Sequence, residues 1–310
     1  MMPNNMIKFA IFSDIHGNIF ALEAALADAQ QQGAHHYLFI GDYSARLPWA
    51  NQVANRIRQV ENRLVIAGNG EGYLRHPLPA GLKQLAPICH GASDLSPDNL
   101  AHWQQLPDQL TVTFQGLDIH LHHHMGLFFR KPIIPCFHSH RFEGLGISSS
   151  EYLTLGKEAI LNRPDALADV MAMAPGVYLF GHNHLQFHMA HEGRLFINPG
   201  SCGYSCDMDP RAAYTMLSYD PTVGEQPQIT PRRVDYDLET AGAALERSAF
   251  AEAYPDWLPI LREGLMTGRD CFGQFIMHLR ECAGPDGDFP VSNADFDRGY
   301  MAWQKKFSFT

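Results

Sequence analysis

Short apolar runs alternate with helical segments along the first part of the chain. Residues 7–12, 37–40 and 64–67 are apolar runs of a length suited to strands buried on both faces. Between them, residues 19–26 and 50–61 carry apolar positions at helical spacing. Strand and helix therefore alternate, which is typical of a parallel sheet covered by helices.

The pattern changes in the middle of the chain. Two alternating runs, 110–114 and 117–121, flank the turn Gln115-Gly116 and predict a hairpin. Residues 125–150 form a long connection containing Pro, His and aromatic residues, and loops of that length are usually functional or mobile. Further elements are predicted as helices beginning at 97 and spanning 164–174, strands at 177–180, 212–219 and 228–234, and a hairpin over 186–197.

Beyond residue 238 the pattern is helical. The predicted helices span 239–254, 257–266, 271–282 and 294–305. We therefore predict an α/β domain over residues 1–238 and a helical C-terminal extension over residues 239–310. The pattern leaves open whether these helices form a small subdomain or pack on the main core.

Composition narrows the class of protein. With 310 residues, 45% hydrophobic and 18% charged positions, the chain is typical of a folded globular protein. A net charge of −10 argues against a nucleic-acid coat or an anionic membrane surface as the main partner. Six cysteines without a CxxC motif favour free thiols in a reducing compartment. Because the first apolar segment lacks a basic flank and a cleavage site, we expect a cytoplasmic protein.

Side chains of the kinds that bind divalent metals follow four predicted strands. They are Asp14, His16, Asp42, Asn69, His182 and His184. Residues i and i+2 of an extended chain point to the same side, so the pairs 14/16 and 182/184 could each converge on one ion. Because sites in open α/β sheets form outside the carboxyl ends of strands, we expect these side chains to gather there. A mixture of Asp, His and Asn suits Mn, Fe, Zn or Co better than Mg.

The order of these motifs resembles that of the calcineurin-like metallophosphoesterase superfamily, and more narrowly its small bacterial and archaeal phosphodiesterase branch. The segments that carry the resemblance are Ser13-Asp14-Ile15-His16-Gly17-Asn18, Gly41-Asp42, Gly68-Asn69, Gly181-His182-Asn183-His184 and Asn198-Pro199-Gly200-Ser201. The resemblance covers about residues 6–238 and leaves the helical tail outside. It implies a four-layer α/β/β/α metallophosphatase sandwich, to which the tail adds a C-terminal helical extension.

The resemblance also implies two divalent metal ions at one end of the sheets. One ion would be held by Asp14, His16 and His184. The other would be held by Asn69, His182 and one more histidine, with Asp42 bridging the pair. Aligning Gly116 with the family pattern selects His123 as that histidine, and His122 and His124 remain rivals. Manganese is the expected metal, with iron, zinc, cobalt and nickel as alternatives.

The activity implied by the resemblance is hydrolysis of a phosphoric ester by a metal-bridging hydroxide. Asp42, Asn69 and His123 would then be the catalytic residues, and the expected partner is a small phosphorylated substrate. We favour phosphodiesters as substrates. The alternatives are a phosphomonoesterase acting on nucleotides or proteins, and a non-catalytic metal-binding scaffold of the same fold.

Two positions depart from the family pattern. Many members carry His directly after the Gly-Asn pair, where this chain has Gly70. The role of general acid is then either vacant or filled from elsewhere, by His138, His140 or Glu71. For His138 and His140 we favour an exposed polar loop without a catalytic role. Arg46 follows Asp42 in a partial match to protein phosphatases, and it is either a phosphate contact or a surface charge.

Overall fold

The computed structural model describes residues 6–124, 146–223, 226–284 and 290–306. Within these ranges the strands form two five-stranded sheets. The strands are β1 Ile7–Phe12, β2 His36–Ile40, β3 Arg63–Ile66, β4 Gln109–Phe114, β5 Leu117–His122, β6 Gly176–Leu179, β7 Phe187–His191, β8 Arg194–Asn198, β9 Ala212–Tyr219 and β10 Gln228–Val234.

Both sheets combine a parallel centre with antiparallel strands. The first sheet has the order β10-β9-β1-β2-β3, in which β1, β2 and β3 run parallel and β9 runs antiparallel to its neighbours. The second has the order β4-β5-β6-β8-β7, in which β5, β6 and β8 run parallel. The carboxyl ends of the parallel strands in each sheet therefore meet at one edge of that sheet.

The helices cover the sheets and extend beyond them. They are α1 Ile19–Gln31, α2 Ala50–Gln59, α3 Asn69–Arg75, α4 Ala86–Ser93, α5 Pro97–Gln104, α6 Ser149–Asn162, α7 Pro164–Ala172, α8 Leu238–Glu246, α9 Ala249–Ala253, α10 Leu258–Thr267, α11 Cys271–Ala283 and α12 Asn293–Lys306. Of the helices in the described ranges, none is both long and apolar enough to cross a membrane.

The layers are held by separate apolar clusters. Ile11 and Leu38 of the first sheet and Leu179 of the second are fully buried in the cluster between the sheets. On the outer face of the first sheet, Phe39 packs in a cluster that includes residues of α1 and α2. Phe196 does the same with α6 and α7 on the second sheet. The predicted four-layer α/β/β/α sandwich is confirmed.

The tail helices share a core with two loops of the sandwich. Trp257, Phe275 and Phe296 lie in one buried cluster with Leu47, which follows β2, and Tyr204, which follows β8. The Trp257 indole N–H also donates to the backbone oxygen of Lys83 at 2.6 Å. The tail therefore packs against the sandwich near the carboxyl ends of β2 and β8, and the division at residue 238 stays a prediction.

The helical pattern of the tail hides one break. The single helix predicted over 239–254 is wrong, because α8 ends at Glu246 and α9 begins at Ala249. The Ser248 side chain accepts a hydrogen bond from the Ala251 N–H at 3.1 Å and so caps the second helix. Serine is a favoured residue at the start of a helix, so Ser248 marks the boundary between the two helices. The spacing of apolar residues alone does not show this boundary.

Three α-helices in the described ranges were not predicted. They are α3, α4 and α6. The helix α3 contains Gly70 and Gly72, which have poor helix propensity, and its first turn depends on Glu71, whose carboxylate accepts the Gly68 N–H at 2.9 Å. Most of the long connection predicted over 125–150 lies outside the described residues, and its last two residues begin α6.

Candidate metal centre

The predicted ligands lie on loops that follow the parallel strands. Asp14 and His16 follow β1, Asp42 follows β2, and Asn69 is the first residue of α3 after β3. The loops are joined by backbone hydrogen bonds, from the Asp14 N–H to Gly41 O at 3.1 Å and from the His16 N–H to Asp42 O at 3.0 Å. The loops after β5 and β6 are joined in the same way, because the Gly181 N–H donates to His123 O at 3.0 Å. These bonds join loops within each sheet, and the His182 N–H, which donates to Asp14 Oδ2 at 3.0 Å, connects the two sheets at one common centre.

Sharp turns, and not extended chain, aim the ligands. Asp14, His16, Asp42, His182 and His184 all have φ between 50° and 71°, in the left-handed region that few residues other than glycine adopt. The premise that these pairs converge because they alternate along an extended chain was therefore wrong. Backbone strain of about 1–3 kcal/mol per residue is tolerated at functional sites, where the surrounding structure compensates for it.

Glycine permits the loops after β2 and β3 to touch. Gly41 has a φ of 90°, and a Cβ added there would lie 2.5 Å from both the N and the Cα of Gly68. Either residue with a side chain would push these loops apart. The two glycines therefore set the distance between the Asp42 and Asn69 backbones.

The first group of converging atoms comes from Asp14, His16 and His184. Asp14 Oδ1 lies 3.8 Å from His16 Nε2 and 3.4 Å from His184 Nε2. The two Nε2 atoms are 3.0 Å apart, and all three side chains are buried. The Asp14 Oδ1 atom has no hydrogen-bond partner in the part of the chain that the structure describes.

Backbone carbonyls decide which ring nitrogens carry hydrogen. His16 Nδ1 contacts Ser44 O at 3.2 Å, and His184 Nδ1 contacts Tyr204 O at 2.6 Å. A carbonyl oxygen only accepts, so each Nδ1 must donate, and the neutral rings then present their lone pairs at Nε2. Three electron-pair donors therefore face one another with no hydrogen between them. This arrangement is unfavourable without a cation, and the residues fit a bound metal ion.

The second group comes from Asp42, His123 and His182, with Asn69 beside them. Asp42 Oδ2 lies 3.4 Å from His123 Nε2, and the Asn69 side-chain oxygen lies 3.2 Å from His123 Nε2 and 2.9 Å from His182 Nδ1. His123 Nδ1 is again held by a carbonyl, Ile40 O, at 2.6 Å. This donor set of carboxylate, amide oxygen and imidazole also fits a divalent ion.

Asp42 lies between the two groups. Its Oδ1 accepts the Gly70 N–H at 2.7 Å, which fixes the carboxylate. Its Oδ2 faces His123 of the second group at 3.4 Å and His16 of the first at 3.9 Å. One carboxylate thus reaches both groups, which is the geometry that a bridging ligand needs.

The electrostatics of the centre call for positive charge. Burial raises the pKa of Asp14 to about 7 and lowers the pKa of His16 to about 3. Burial also disfavours charge on His123, yet the facing Asp42 carboxylate raises the pKa of His123 to about 10. Although burial opposes it, His123 in turn holds the pKa of Asp42 well below its usual range. Two buried carboxylates, Asp14 and Asp42, therefore face the positive charge of one imidazolium, that of His123. A bound divalent cation would supply the positive charge that this arrangement lacks.

Of the three candidate histidines after Gly116, the structure brings His123 into the centre. His122 and His124 lie outside both groups, with the His122 Nδ1 next to His124 O at 2.5 Å. The three histidines differ because successive side chains at the end of β5 point to opposite sides. The strand ends at His122, and of the three only His123 is buried between the sheets.

The proposed general acids have different outcomes. His138 and His140 lie outside the described residues. Glu71 is fully buried, and its carboxylate accepts the N–H groups of Asp42 at 2.8 Å and Tyr43 at 3.0 Å as well as that of Gly68. These bonds occupy the carboxylate within the protein, so Glu71 anchors the Asp42 loop and does not face a substrate.

Arg46 is a largely buried cation beside the centre. It lines a pocket of about 190 Å³ together with Asp42, Asn69 and His184. Its guanidinium lies 4.9 Å from the Tyr204 ring centroid and 4.8 Å from that of Phe272. Among the described residues, no carboxylate forms an ion pair with it. The sequence left the role of Arg46 undecided. It also gave no sign that Tyr204 and Phe272 lie beside Arg46, since Phe272 belongs to the C-terminal helices.

Comparisons with known proteins identify the family of this chain. The calcineurin-like phosphoesterase superfamily domain matches residues 7–221. An uncharacterized protein of Methanocaldococcus jannaschii is 25% identical over 285 residues, which are 86% of this chain and all of that protein.

Two solved structures share the fold. A metallophosphoesterase from Sphaerobacter thermophilus is 21% identical with a TM-score of 0.60, over 85% of this chain and 99% of that chain. The hypothetical protein PH1004 of Pyrococcus horikoshii is 16% identical with a TM-score of 0.57, over 84% of this chain and 98% of that chain. Since the family match covers more than half of the chain, this protein belongs to the calcineurin-like phosphoesterase superfamily and is a phosphoric ester hydrolase.

Proposed function

We propose that the protein is a dinuclear metal-dependent phosphoesterase that acts on small phosphodiesters. The single observation that carries the proposal is the convergence of Asp14 Oδ1 with His16 Nε2 and His184 Nε2, three buried donors without a hydrogen between them. Asp42, placed between this group and the one that contains His123, supports a second ion. Two bound metal ions would polarise the phosphoryl oxygens and lower the pKa of a water molecule that they bind.

The residues of the chain position the reacting groups. Asp14, His16 and His184 would hold one ion, and Asn69, His123 and His182 the other, with Asp42 bridging them. The carbonyls behind His16, His123 and His184 keep each ring in one tautomer and orientation. Among the metals that suit this mixed donor set, we propose Mn²⁺ first.

Two features of the pocket bear on the choice between a diester and a monoester. Gly70 stands where many superfamily members carry histidine, so this position supplies no proton donor to a leaving group. Arg46 adds positive charge to the same pocket and would contact an oxygen of the phosphoryl group. Because this positive charge suits a monoester as well as a diester, the preference for a diester rests on the residue at position 70.

A direct test compares two substrates with a common leaving group. We expect protein stripped with a chelator to be inactive, and added Mn²⁺ to restore hydrolysis of bis-p-nitrophenyl phosphate in preference to p-nitrophenyl phosphate. Bound metal is measured in parallel by mass spectrometry. Faster hydrolysis of the monoester would overturn the proposed preference for diesters. If the protein takes up no metal and hydrolyses neither substrate, the proposal of a metal-dependent phosphoesterase is contradicted.

Arg46 provides a second prediction. Arg46→Met keeps an apolar stem between the Tyr204 and Phe272 rings but removes the charge, so we expect kcat/KM to fall about 10–100-fold through the loss of a charged contact to the phosphate. Arg56→Met is the control, because Arg56 pairs with Glu23 on the surface. Unchanged kcat/KM in Arg46→Met, with metal content retained, would exclude Arg46 from substrate binding.

A further inference from the structure

An apolar chamber adjoins the pocket of the metal centre. It has a volume of about 330 Å³, within the range of small-molecule sites, and lies between α3 and α4. Its walls include Leu74, Leu78, Ile88, Cys89 and Ala92. Of the described residues that line it, none carries a charged side chain.

The chamber shares part of its lining with the metal pocket. Gly70, Tyr73 and Ile88 line both spaces. Gly70 directly follows Asn69, and a Cβ added there would lie 3.2 Å from Asp42 Oδ1 and 3.4 Å from Ser44 Oγ, so glycine lets the start of α3 pack closely on the Asp42 loop. An organic group attached to a phosphate at the centre would therefore enter the chamber along Tyr73 and Ile88.

The chemistry of the walls selects the group that fits. Burial of apolar surface is favourable by about 25 cal/mol per Å², whereas a charged or polyhydroxylated group would lose its hydration without gaining charged partners from the walls. Tyr73 lines both spaces, and its uncharged ring offers an aromatic surface between them.

We propose that this chamber binds an apolar, aryl-sized organic substituent of the phosphate ester while the phosphoryl group lies at the metal centre. The inference rests on the proposed function and names its substrate class. The phosphate reaches the ligands around Asp42, and the organic group passes Tyr73 and packs against Ile88 and Ala92.

The test uses two non-hydrolysable probes, phenylphosphonate and methylphosphonate, on the Mn²⁺-loaded protein. Calorimetric titration is expected to show that phenylphosphonate binds at least about tenfold more tightly, because its ring buries apolar area in the chamber. Ala92→Phe fills the chamber and should remove this preference. Ala27→Phe, the same change on an exposed face of α1, should retain it.

A second readout needs no substitution. Cys89 is a half-buried free thiol in the chamber wall. Its alkylation by iodoacetamide at alkaline pH, followed by peptide mass mapping, should be slowed by phenylphosphonate and not by methylphosphonate. This measurement keeps the proposal testable if Ala92→Phe does not fold.

The possible outcomes distinguish a failure of the chamber assignment from a failure of the proposed function. Equal affinity for both phosphonates and no protection of Cys89, in a protein that hydrolyses phosphate esters, would overturn the chamber assignment and leave the proposed function standing. Failure to bind either phosphonate, together with no metal uptake and no turnover, would overturn the proposed function and the chamber assignment with it.

Discussion

Replacing Asp42 with asparagine is expected to abolish hydrolysis of both monoesters and diesters. The Oδ2 atom of Asp42 faces His16 and His123 in different groups, so the loss of its charge weakens both proposed ions at once. We expect kcat/KM to fall at least about 10³-fold, which corresponds to about 4 kcal/mol of barrier. Kinetics and metal analysis of the purified variant provide the measurement.

The fold of this variant should survive. Asparagine retains a side-chain oxygen that can accept the Gly70 N–H, which Asp42 Oδ1 now accepts at 2.7 Å. Asp98→Asn, an exposed position in the first turn of α5, is the matched control and should keep full activity. Wild-type turnover by Asp42→Asn would refute its placement between two metal ions.

Replacing Glu71 with glutamine is expected to destabilise the protein and loosen the metal centre. The carboxylate accepts four backbone N–H groups, from Asp42, Tyr43, Ser44 and Gly68, at 2.8–3.3 Å. An amide turns one acceptor into a donor that faces other donors. We expect the free energy of unfolding to fall by about 2–4 kcal/mol and the affinity for Mn²⁺ to fall about 10–100-fold.

This prediction separates an anchor from a general acid. Denaturant unfolding measures stability, and calorimetric titration measures Mn²⁺ affinity. Glu23→Gln, which alters a surface pair with Arg56, should change stability by less than about 0.5 kcal/mol. A Glu71→Gln variant with normal stability and metal affinity, but an altered pH profile of hydrolysis, would show instead that Glu71 acts in proton transfer.

Much of the site was predictable because its residues are tied to local features of the chain. Buried parallel strands must be apolar, so the ends of β1, β2, β3 and β6 were visible as points where apolar runs stop. Side chains such as Asp14 and Asn69 follow those points directly. Their order along the chain was therefore sufficient to predict the family, which the domain match confirms.

Other features depend on which loops pack together. The repeat of histidines after Gly116 contains three similar side chains, and only the pairing of β5 with its neighbours turns His123 toward Asp42. From the sequence, Glu71 was a candidate general acid. In the folded protein the loops after β2 and β3 enclose its side chain. Apolar spacing has no information about either event, because both arise from contacts between distant segments.

The sequence by itself determined the layered α/β architecture, the strand ends and the types of metal ligand, since burial and backbone geometry restrict residue choice locally. The tertiary structure alone decided the left-handed turns that aim Asp14 and His184, the sandwich of Arg46 between Tyr204 and Phe272, and the apolar chamber beside Gly70. Those features are distances and angles between segments far apart in the chain, and they exist only after the chain has folded.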